Sequence, residues 1–286
     1  CSGDPDSLDG VAVPHAGLLI LDGTAPHIVD PEIPGARDSI INLGEGLDEP
    51  AMRPRLPHIR ACMSDHAACS RRARACLAAA AALAQENAAM LQAAMDEERL
   101  FQMTRALIQA VLANDAPKTA APRVRPIITD AVTPKGEISL IAENAQPRVI
   151  RLLFHGGMDG TPVLRQVSAA ARAAGYSVEE HLCPTVPGRL LHVTIPALAT
   201  LVTTSEQLSA EQTFDFAACI PQGALLRHEC ALEQGRAGIQ LHLHRACAAL
   251  AQAKQLHDEL ESFYVPNMDF AKWQTMLDRT LESLKS

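Results

Sequence analysis

The sequence predicts an α/β fold with two units of similar plan, each built of three layers around a parallel sheet and extended by a long helical hairpin. Three observations predict it. Residues 1–22 match residues 183–204 without a gap, which indicates an internal duplication. Residues 149–183 have the order strand, glycine loop, helix, strand, which is typical of a βαβ unit with parallel strands. Abundant alanine and only 3% aromatic residues favour packed helices and parallel strands over a β-sandwich.

The composition also limits the kinds of partner. A formal net charge of −8 argues against nucleic acid or an anionic membrane surface as the main partner. No apolar run approaches the roughly 20 residues that span a bilayer. Eight cysteines, without a signal peptide or the pattern of a small secreted domain, indicate reduced thiols in the cytoplasm. The first residue is Cys1, and we expect the chain to be an N-terminally truncated fragment.

The duplication predicts the same series of elements twice. The gapless match places Cys1 on Cys183, Pro14 on Pro196 and Leu19 on Leu201. Each unit is predicted to contain a buried strand, a loop, an apolar segment and a long helical pair. In the first unit these elements lie at residues 16–21, 39–43, 55–87 and on to 112; in the second, at residues 197–203, 214–220, 225–263 and 270–284.

The segments between the repeats set the domain boundaries. The first domain is predicted over residues 1–115, a polar linker over 116–125 and the second domain over 126–286. The second domain begins with two short strands joined by a Thr-Pro-Lys-Gly turn. Its βαβ unit consists of a strand at residues 149–155, a helix at 161–174 that ends at Gly175, and a strand at 176–183.

The glycine loop has the context of a phosphate-binding P-loop. In such a loop, backbone N–H groups and a helix N-terminus cradle the phosphates, a lysine neutralises them and a hydroxyl binds Mg²⁺. Gly156, Gly157, Gly160 and Thr161 are therefore candidate cofactor-binding residues. The loop has no lysine, and Asp159 adds a negative charge. A glycine turn that only serves the βαβ crossover is the alternative, and the residues favour it.

The end of the first apolar strand carries the main catalytic candidate. Residues 18–21 are apolar and lead into Asp22, an arrangement typical of the carboxylate that holds Mg²⁺ beside the phosphates. Asp22 is thus a candidate metal ligand and catalytic residue, followed by Thr24 and His27 as candidate cofactor-binding residues. The second repeat has Thr204 in place of Asp22, which indicates chemistry in the first unit alone.

A short acidic loop precedes this strand. Asp4 and Asp6 are candidate catalytic residues, and Ser7 and Asp9 are candidate nucleotide contacts. Carboxylates so close in sequence repel one another unless a cation or hydrogen-bond donors offset them. A solvated loop with Asx turns is the alternative.

Cysteine and histidine clusters elsewhere do not predict a metal site. Cys62, Cys69 and Cys76 are spaced by seven residues on a helix, so successive sulfurs lie roughly 10 Å apart, too far for one zinc ion. We expect them to form a buried stripe. The set His228, Cys230, His242, His244 and Cys247 lacks the paired-cysteine spacing of structural zinc.

The stretches at residues 1–11, 21–27 and 30–36 resemble a family of bacterial ATPase-like proteins with two tandem P-loop NTPase domains. The resemblance covers nearly the whole chain and is strongest over residues 1–45. It implies a first P-loop upstream of Cys1 and a second at residues 154–161, with ATP and Mg²⁺ as cofactors. The first P-loop is absent from this chain, and the second lacks the lysine and the usual glycine spacing.

These observations lead to one expected function and two alternatives. The intact protein is expected to bind ATP with Mg²⁺ and to hydrolyse it, with Asp22 organising the metal. One alternative is a catalytically decayed scaffold that binds a protein partner through its helical hairpins. The other is a nucleotide or small-molecule kinase whose acidic loop binds an acceptor hydroxyl. Because the strand at residues 18–21 should be buried beside the missing P-loop strand, its edge is expected to promote aggregation unless something covers it.

Overall fold

A computed structural model describes residues 3–4, 6–23, 28–144 and 146–283. The chain forms two compact units: unit 1 comprises Cys1–Arg71 with Ala249–Ser286, and unit 2 comprises Arg72–Ala248. The division falls within the two longest helices, α2 (Leu56–Gln92, 37 residues) and α5 (Gln222–Tyr264, 43 residues). It therefore does not coincide with the predicted domain boundaries, which lie on either side of the linker.

Unit 2 contains a six-stranded sheet with helices. Its elements, besides its parts of α2 and α5, are α3 Glu97–Val111, β3 Val124–Ile127, β4 Asp130–Thr133, β5 Gly136–Ser139, β6 Arg148–Leu153, α4 Thr161–Ala173, β7 Val178–Leu182, β8 Leu190–Ile195, β9 Thr200–Thr203 and β10 Gln212–Asp215. The sheet order is β10-β6-β9-β8-β7-β3, and β4 and β5 form a separate hairpin. All neighbouring pairs in the sheet are parallel except those made by β8. The α/β class with a mainly parallel sheet is thus confirmed.

The core of unit 2 follows from the residues of its central elements. All four residues of β9 are buried, because β9 is paired on both edges by β6 and β8. Helix α4 is amphipathic and buries Leu164 and Val167 against the sheet. It ends where Gly175 adopts a φ of 95°, a left-handed conformation that glycine takes without strain. The helix predicted at residues 161–174 is therefore correct within one residue.

The chief difference from the predicted sheet is an antiparallel hairpin formed by β8 and β9. A 3₁₀ turn over Pro196–Leu198 connects the two strands, and Ala199 ends it with a φ of 47°. The strand predicted over residues 197–203 is therefore too long, and β8 had no counterpart in the prediction. Proline fixes φ near −65° and lacks an N–H group, so Pro196 begins a turn here and does not continue the strand.

Unit 1 contains a hairpin of the same construction. Its elements, besides its parts of α2 and α5, are β1 Gly10–Val13, β2 Leu18–Leu21, α1 Glu49–Met52 and α6 Phe270–Ser283. A 3₁₀ turn over Pro14–Ala16 joins the strands, and Gly17 follows with a φ of 62°. In β1–β2, Val11 pairs with Ile20, and in β8–β9 the matching residues Val193 and Val202 pair. The gapless sequence match thus corresponds to two hairpins with the same register.

Hydrogen bonds and a second turn extend the likeness. The amide of Asp22 donates to the Asp9 carbonyl at 2.8 Å, and the amide of the matching Thr204 donates to the Leu191 carbonyl at 3.2 Å. Further along, each unit has a 3₁₀ turn, at Leu43–Gly46 and at Phe216–Cys219. The residue before each turn has nearly the same backbone angles: φ −90° and ψ 93° at Asn42, and φ −93° and ψ 85° at Asp215. These features support a duplication at the level of local structure.

The two hairpins differ in how far their side chains are buried. Leu19 is 61% exposed and Ile20 43% exposed, whereas their counterparts Leu201 and Val202 are fully buried. The expectation of a buried strand in the first unit is therefore wrong for this structure. Within the described residues, β2 pairs only with β1, while β9 also pairs with β6. The apolar sequence of β2 fits a strand with two neighbours, whereas the described part of the chain supplies one, β1.

Candidate functional site

The glycine loop of unit 2 lies at the carboxyl end of β6. From β6 the chain crosses through α4 to β7, whereas from the adjacent parallel strand β9 it crosses to β10 on the other side of β6. Open α/β sheets bind ligands outside the carboxyl ends of their parallel strands. The fold therefore points to residues 154–161 as the first place to examine.

The N-terminus of α4 already carries an anion from the protein itself. The Asp159 carboxylate accepts a hydrogen bond from the Thr161 amide at 2.9 Å and lies 3.5 Å from Nε of Arg189. Backbone N–H groups at a helix N-terminus attract negative charge, and here Asp159 supplies it. The Thr161 hydroxyl accepts a hydrogen bond from the Leu190 amide at 2.9 Å, so it anchors β8. With no lysine in the loop, these residues do not fit a magnesium-bound nucleotide.

The glycines of the loop have structural reasons to be glycine. Gly157 adopts a φ of 104°, and a side chain there would also approach Asn87. A Cβ atom at Gly160 would lie 2.6 Å from the ring of Phe154, which stacks on Phe216 with ring centroids 5.2 Å apart. The backbone of Gly157 and the packing at Gly160 support the alternative interpretation of these two glycines as parts of a crossover turn, whereas a side chain at Gly156 would meet only Arg236 at an ordinary distance of 3.9 Å.

The Gly160→Ala variant is expected to be destabilised by roughly 1–3 kcal/mol, because the added methyl group displaces the Phe154 ring from its stacked position. Gly223→Ala, within α5 and with open space around the added Cβ, is the matched control and should not lower stability. Urea unfolding followed by circular dichroism measures both. Equal effects of the two substitutions would contradict the packing role of Gly160.

A cavity of about 260 Å³ lies beside the glycine loop and is lined mainly by one face of α5. Its lining residues are His155, Gln222, Leu225, Leu226, Glu229, Leu232 and Arg236. Arg236 lies against the loop, since a Cβ at Gly156 would be 3.9 Å from its Cδ and Nη1 atoms. The Nδ1 atom of His155 lies 3.2 Å from the Gly156 carbonyl oxygen. The sequence analysis did not identify this cavity, because its residues come from segments far apart in the chain.

A buried polar cluster occupies another part of unit 2. The His181 ring bonds to Thr129 through Nδ1 at 3.2 Å and to Thr194 through Nε2 at 2.9 Å. The Thr129 hydroxyl donates to Asp130 at 2.8 Å. The Thr129 oxygen must therefore accept a hydrogen bond from Nδ1–H of His181. The Nε2 atom of His181 in turn accepts a hydrogen bond from the Thr194 hydroxyl. His181 is thus held as one tautomer of the neutral ring.

His192 adjoins this cluster. Its Nδ1 atom lies 2.7 Å from the Thr203 hydroxyl and its Nε2 atom 3.4 Å from an Asp130 oxygen. Burial, followed by the charge of His192, lowers the pKa of His181 to about 4. Burial acts to raise the pKa of Asp130, but hydrogen bonds, first from His192, lower it on balance. The cluster crosses β4, β7, β8 and β9, so it links the β4–β5 hairpin to the sheet.

The predicted site residues of unit 1 lie around the open end of its hairpin. Asp22 directly follows β2, and its amide bonds to Asp9, which precedes β1. The Asp4 carboxylate accepts bonds from the Ser7 hydroxyl at 2.9 Å and the Asp6 amide at 3.2 Å. The structure therefore brings Asp22 and Asp9 together and gives Asp4 the turn contacts of the alternative interpretation. Thr24 and His27 lie outside the described residues.

A cation also neutralises part of the acidic loop. The Lys254 ammonium lies 3.4 Å from an Asp4 oxygen and also contacts Asp258. The hydrogen bond from Ser7 is the largest of the interactions that lower the pKa of Asp4. The repulsion expected among the carboxylates is thus offset at Asp4 by protein groups.

The cysteine stripe is buried in part. Cys62 and Cys69 are buried, Cys76 is half-buried, and the cysteines of the described segments are free thiols. The Cys62 thiol donates to the Leu256 carbonyl at 3.1 Å. Over the same segments, the only group with metal-ligand spacing is His257, Asp258 and Glu261, all exposed on one face of α5. Because Lys254 pairs with Asp258, this group is explained by surface ion pairing.

The structure by itself defines the class of protein as mixed α/β with a mainly parallel sheet and long helices. No family model matches the chain, and neither a curated protein nor a solved structure is found to be similar to it. None of the helices in the described ranges is both long enough and apolar enough to cross a membrane.

Proposed function

We propose that the intact protein is an ATP-binding P-loop ATPase whose nucleotide site is in the first repeat. One observation carries the proposal: the hairpin β1–β2 repeats the hairpin β8–β9 in register, turn and hydrogen bonds. In unit 2, the outer edge of β9 pairs in parallel with β6, the strand that leads into the glycine loop. A strand of the same kind on the outer edge of β2 would complete the first repeat.

The position of Asp22 supports this assignment. Thr203, the last residue of β9, pairs with Arg151 of β6, close to the start of the glycine loop. Leu21 matches Thr203 in the repeat, so Asp22 follows β2 at the corresponding place. A glycine-rich loop after the added strand would then lie beside the Asp22 carboxylate. Carboxylate oxygens are ligands that Mg²⁺ prefers, and the ion would neutralise the developing charge on the phosphates.

In this proposal, other residues of the acidic loop hold Asp22 and Asp4 in position. Asp9 holds the Asp22 backbone through its carbonyl, and Ser7 orders Asp4. The second repeat acts as a structural partner, because its own Asp159 takes the place at α4 that a phosphate would take. The chain as given is therefore expected to bind ATP weakly or not at all.

The test begins with the coding DNA upstream of the Cys1 codon. We expect an in-frame strand, GxxxxGK[ST] and helix of roughly 30–40 residues. The longer protein should bind ATP with Mg²⁺ and hydrolyse it, and Asp22→Asn should lower kcat at least ~100-fold by removing a metal ligand. Asp30→Asn, an exposed residue of the same unit, is the control.

Two results would contradict the ATPase assignment, and a third would indicate a kinase. If no such segment is encoded, or if the longer protein gains no thermal stability with ATP and Mg²⁺, the ATPase assignment fails. The protein-interaction scaffold then becomes the better assignment. Turnover that requires an added acceptor would instead indicate a kinase.

A further inference from the structure

The cavity beside the glycine loop has a cationic end, and the rest of its lining combines three leucines with one carboxylate. Apart from the adjacent Leu225 and Leu226, its α5 residues recur every three or four positions, so they share one face of the helix. Arg236 and His155 form the end next to the loop, and along α5 the lining continues with Leu232, then Glu229, then Leu226 and Leu225. Leu226 is 63% exposed although it is a large apolar residue. The lining of this cavity therefore combines exposed apolar area with the guanidinium group of Arg236.

Arg236 is an exposed cation at the end of the cavity next to the loop. Within the described part of the chain it makes no hydrogen bond and no ion pair. By contrast, Arg189 on the other side of the same loop pairs with Asp159 at 3.5 Å. Arg236 lies beside Gly156 at van der Waals distance, so its guanidinium is next to the loop backbone. A planar guanidinium in this position can bind a carboxylate or a phosphate through two parallel hydrogen bonds.

We propose that this cavity binds a small organic anion in which one anionic group, a carboxylate or a phosphate monoester, is joined to an apolar body. Arg236 holds the anionic group, the His155 ring flanks it, and the three leucines cover the apolar part. The proposal concerns unit 2 and goes beyond the ATPase assignment, since it uses none of the residues placed around Asp22.

The size and charge of the cavity limit the ligand. A volume of about 260 Å³ holds roughly nine groups of the size of a water molecule, which corresponds to a chain of six carbons with its anionic group. Glu229 lies on α5 seven residues before Arg236, roughly 10 Å away along the helix axis, and also lines the cavity. Its carboxylate repels a second anionic group roughly 10 Å away from Arg236. A ligand with an anionic group at one end should therefore bind better than a ligand of the same length with an anionic group at each end.

The test is a ligand-detected NMR titration of the full chain with four probes. These are hexanoate, hexyl phosphate, the neutral analogue hexanamide and the dicarboxylate adipate. We expect a Kd on the order of 1 mM for hexanoate or hexyl phosphate and at least ~10-fold weaker binding of hexanamide and adipate. Whichever of hexanoate and hexyl phosphate binds more tightly identifies the anionic group that the site prefers.

Variants of two arginines on the same helix make the test specific. Arg236→Gln should weaken binding of the preferred anion at least ~10-fold, and Arg236→Lys should retain part of it. Arg227→Gln should have no effect, because Arg227 is exposed on α5 and does not line the cavity. Glu229→Gln should bring adipate close to hexanoate in affinity. Circular dichroism checks that each variant is folded.

Three results would overturn the proposal. They are the absence of saturable binding of both hexanoate and hexyl phosphate up to about 10 mM, equal binding of hexanamide and hexanoate, and equal losses for Arg236→Gln and Arg227→Gln. Since none of these measurements involves ATP, failure here leaves the ATPase assignment untouched. Failure of the ATPase assignment likewise does not affect this site, which is tested only by its own titration.

Discussion

Val202→Asp unfolds unit 2, whereas the same change at the matching Ile20 leaves the stability of the chain nearly unaltered. Val202 is fully buried in β9 and pairs with Val193 and Ile150 on the two neighbouring strands. A carboxylate in that place has no cation or donor to offset its burial, so we expect a loss of about 4 kcal/mol or more. A loss of this size is a large fraction of the stability of an ordinary domain.

At Ile20 the same carboxylate remains in water. The side chain of Ile20 is 43% exposed in β2, so we expect Ile20→Asp to change the free energy of unfolding by no more than about 1 kcal/mol. It should also reduce self-association of the chain, because a charge on an exposed apolar edge strand opposes edge-to-edge pairing. Urea unfolding and size-exclusion chromatography measure the two effects. Equal destabilisation by the two substitutions would mean that β2 is as well covered as β9.

Acidification is expected to destabilise unit 2 through His181. The pKa of His181 is about 4 in the folded protein, below the value of about 6.5 for an unfolded chain. Between these values the unfolded chain binds the proton and the folded protein does not. The stabilising contribution is therefore complete above pH 6.5 and is lost as the pH falls toward 4. The fully buried position of the ring allows a total loss of about 3 kcal/mol.

Urea unfolding at pH 7.5, 6.0 and 4.5 tests this dependence. His181→Asn removes the titrating ring, so the variant should be less stable at pH 7.5 but lose less stability on acidification. His15→Asn, at an exposed histidine in unit 1, is the control and should retain the slope of the unaltered chain. An unchanged slope in His181→Asn would assign the acid sensitivity to another group. The neighbouring His192 and Asp130 would then be the next residues to test.

The helices were the part of the fold that local sequence predicted best. The second helical region was predicted at residues 225–263 and 270–284, and the structure has α5 at Gln222–Tyr264 and α6 at Phe270–Ser283. Long helices repeat their pattern over many turns, so errors remain at the ends. The Thr-Pro-Lys-Gly turn is confirmed between β4 and β5 for a similar reason, because its residues determine the turn locally.

The sheet was predicted less well, because pairing is not local. Nothing in residues 190–195 distinguishes an antiparallel neighbour of β9 from a parallel one. The burial of β2 was predicted from its apolar residues, yet burial depends on a second strand beside it. The predicted P-loop duplication itself remains a proposal, although the two hairpins agree in register and turn.

The candidate site, too, was predicted only where its residues lie close together in the sequence. Sequence spacing located the glycine loop and the Asp22 strand end, since both lie within single segments. It did not find Arg236 beside Gly156, nor His181 bonded to Thr129 and Thr194, because these residues meet only when distant segments pack together. Asp159 was recognised as a negative charge in the loop, but its pairing with Arg189 required the folded crossover.

The sequence by itself determined the α/β class, the long helices and the glycine turn, because each depends on residues that are close in the chain. The tertiary structure alone decided which strand edges are paired and that the Asp159 carboxylate bonds to the first amide of α4. It also decided which cations face the glycine loop. The physical reason is that strand pairing, burial and charge contacts are set by residues far apart in sequence, whose distances no local pattern records.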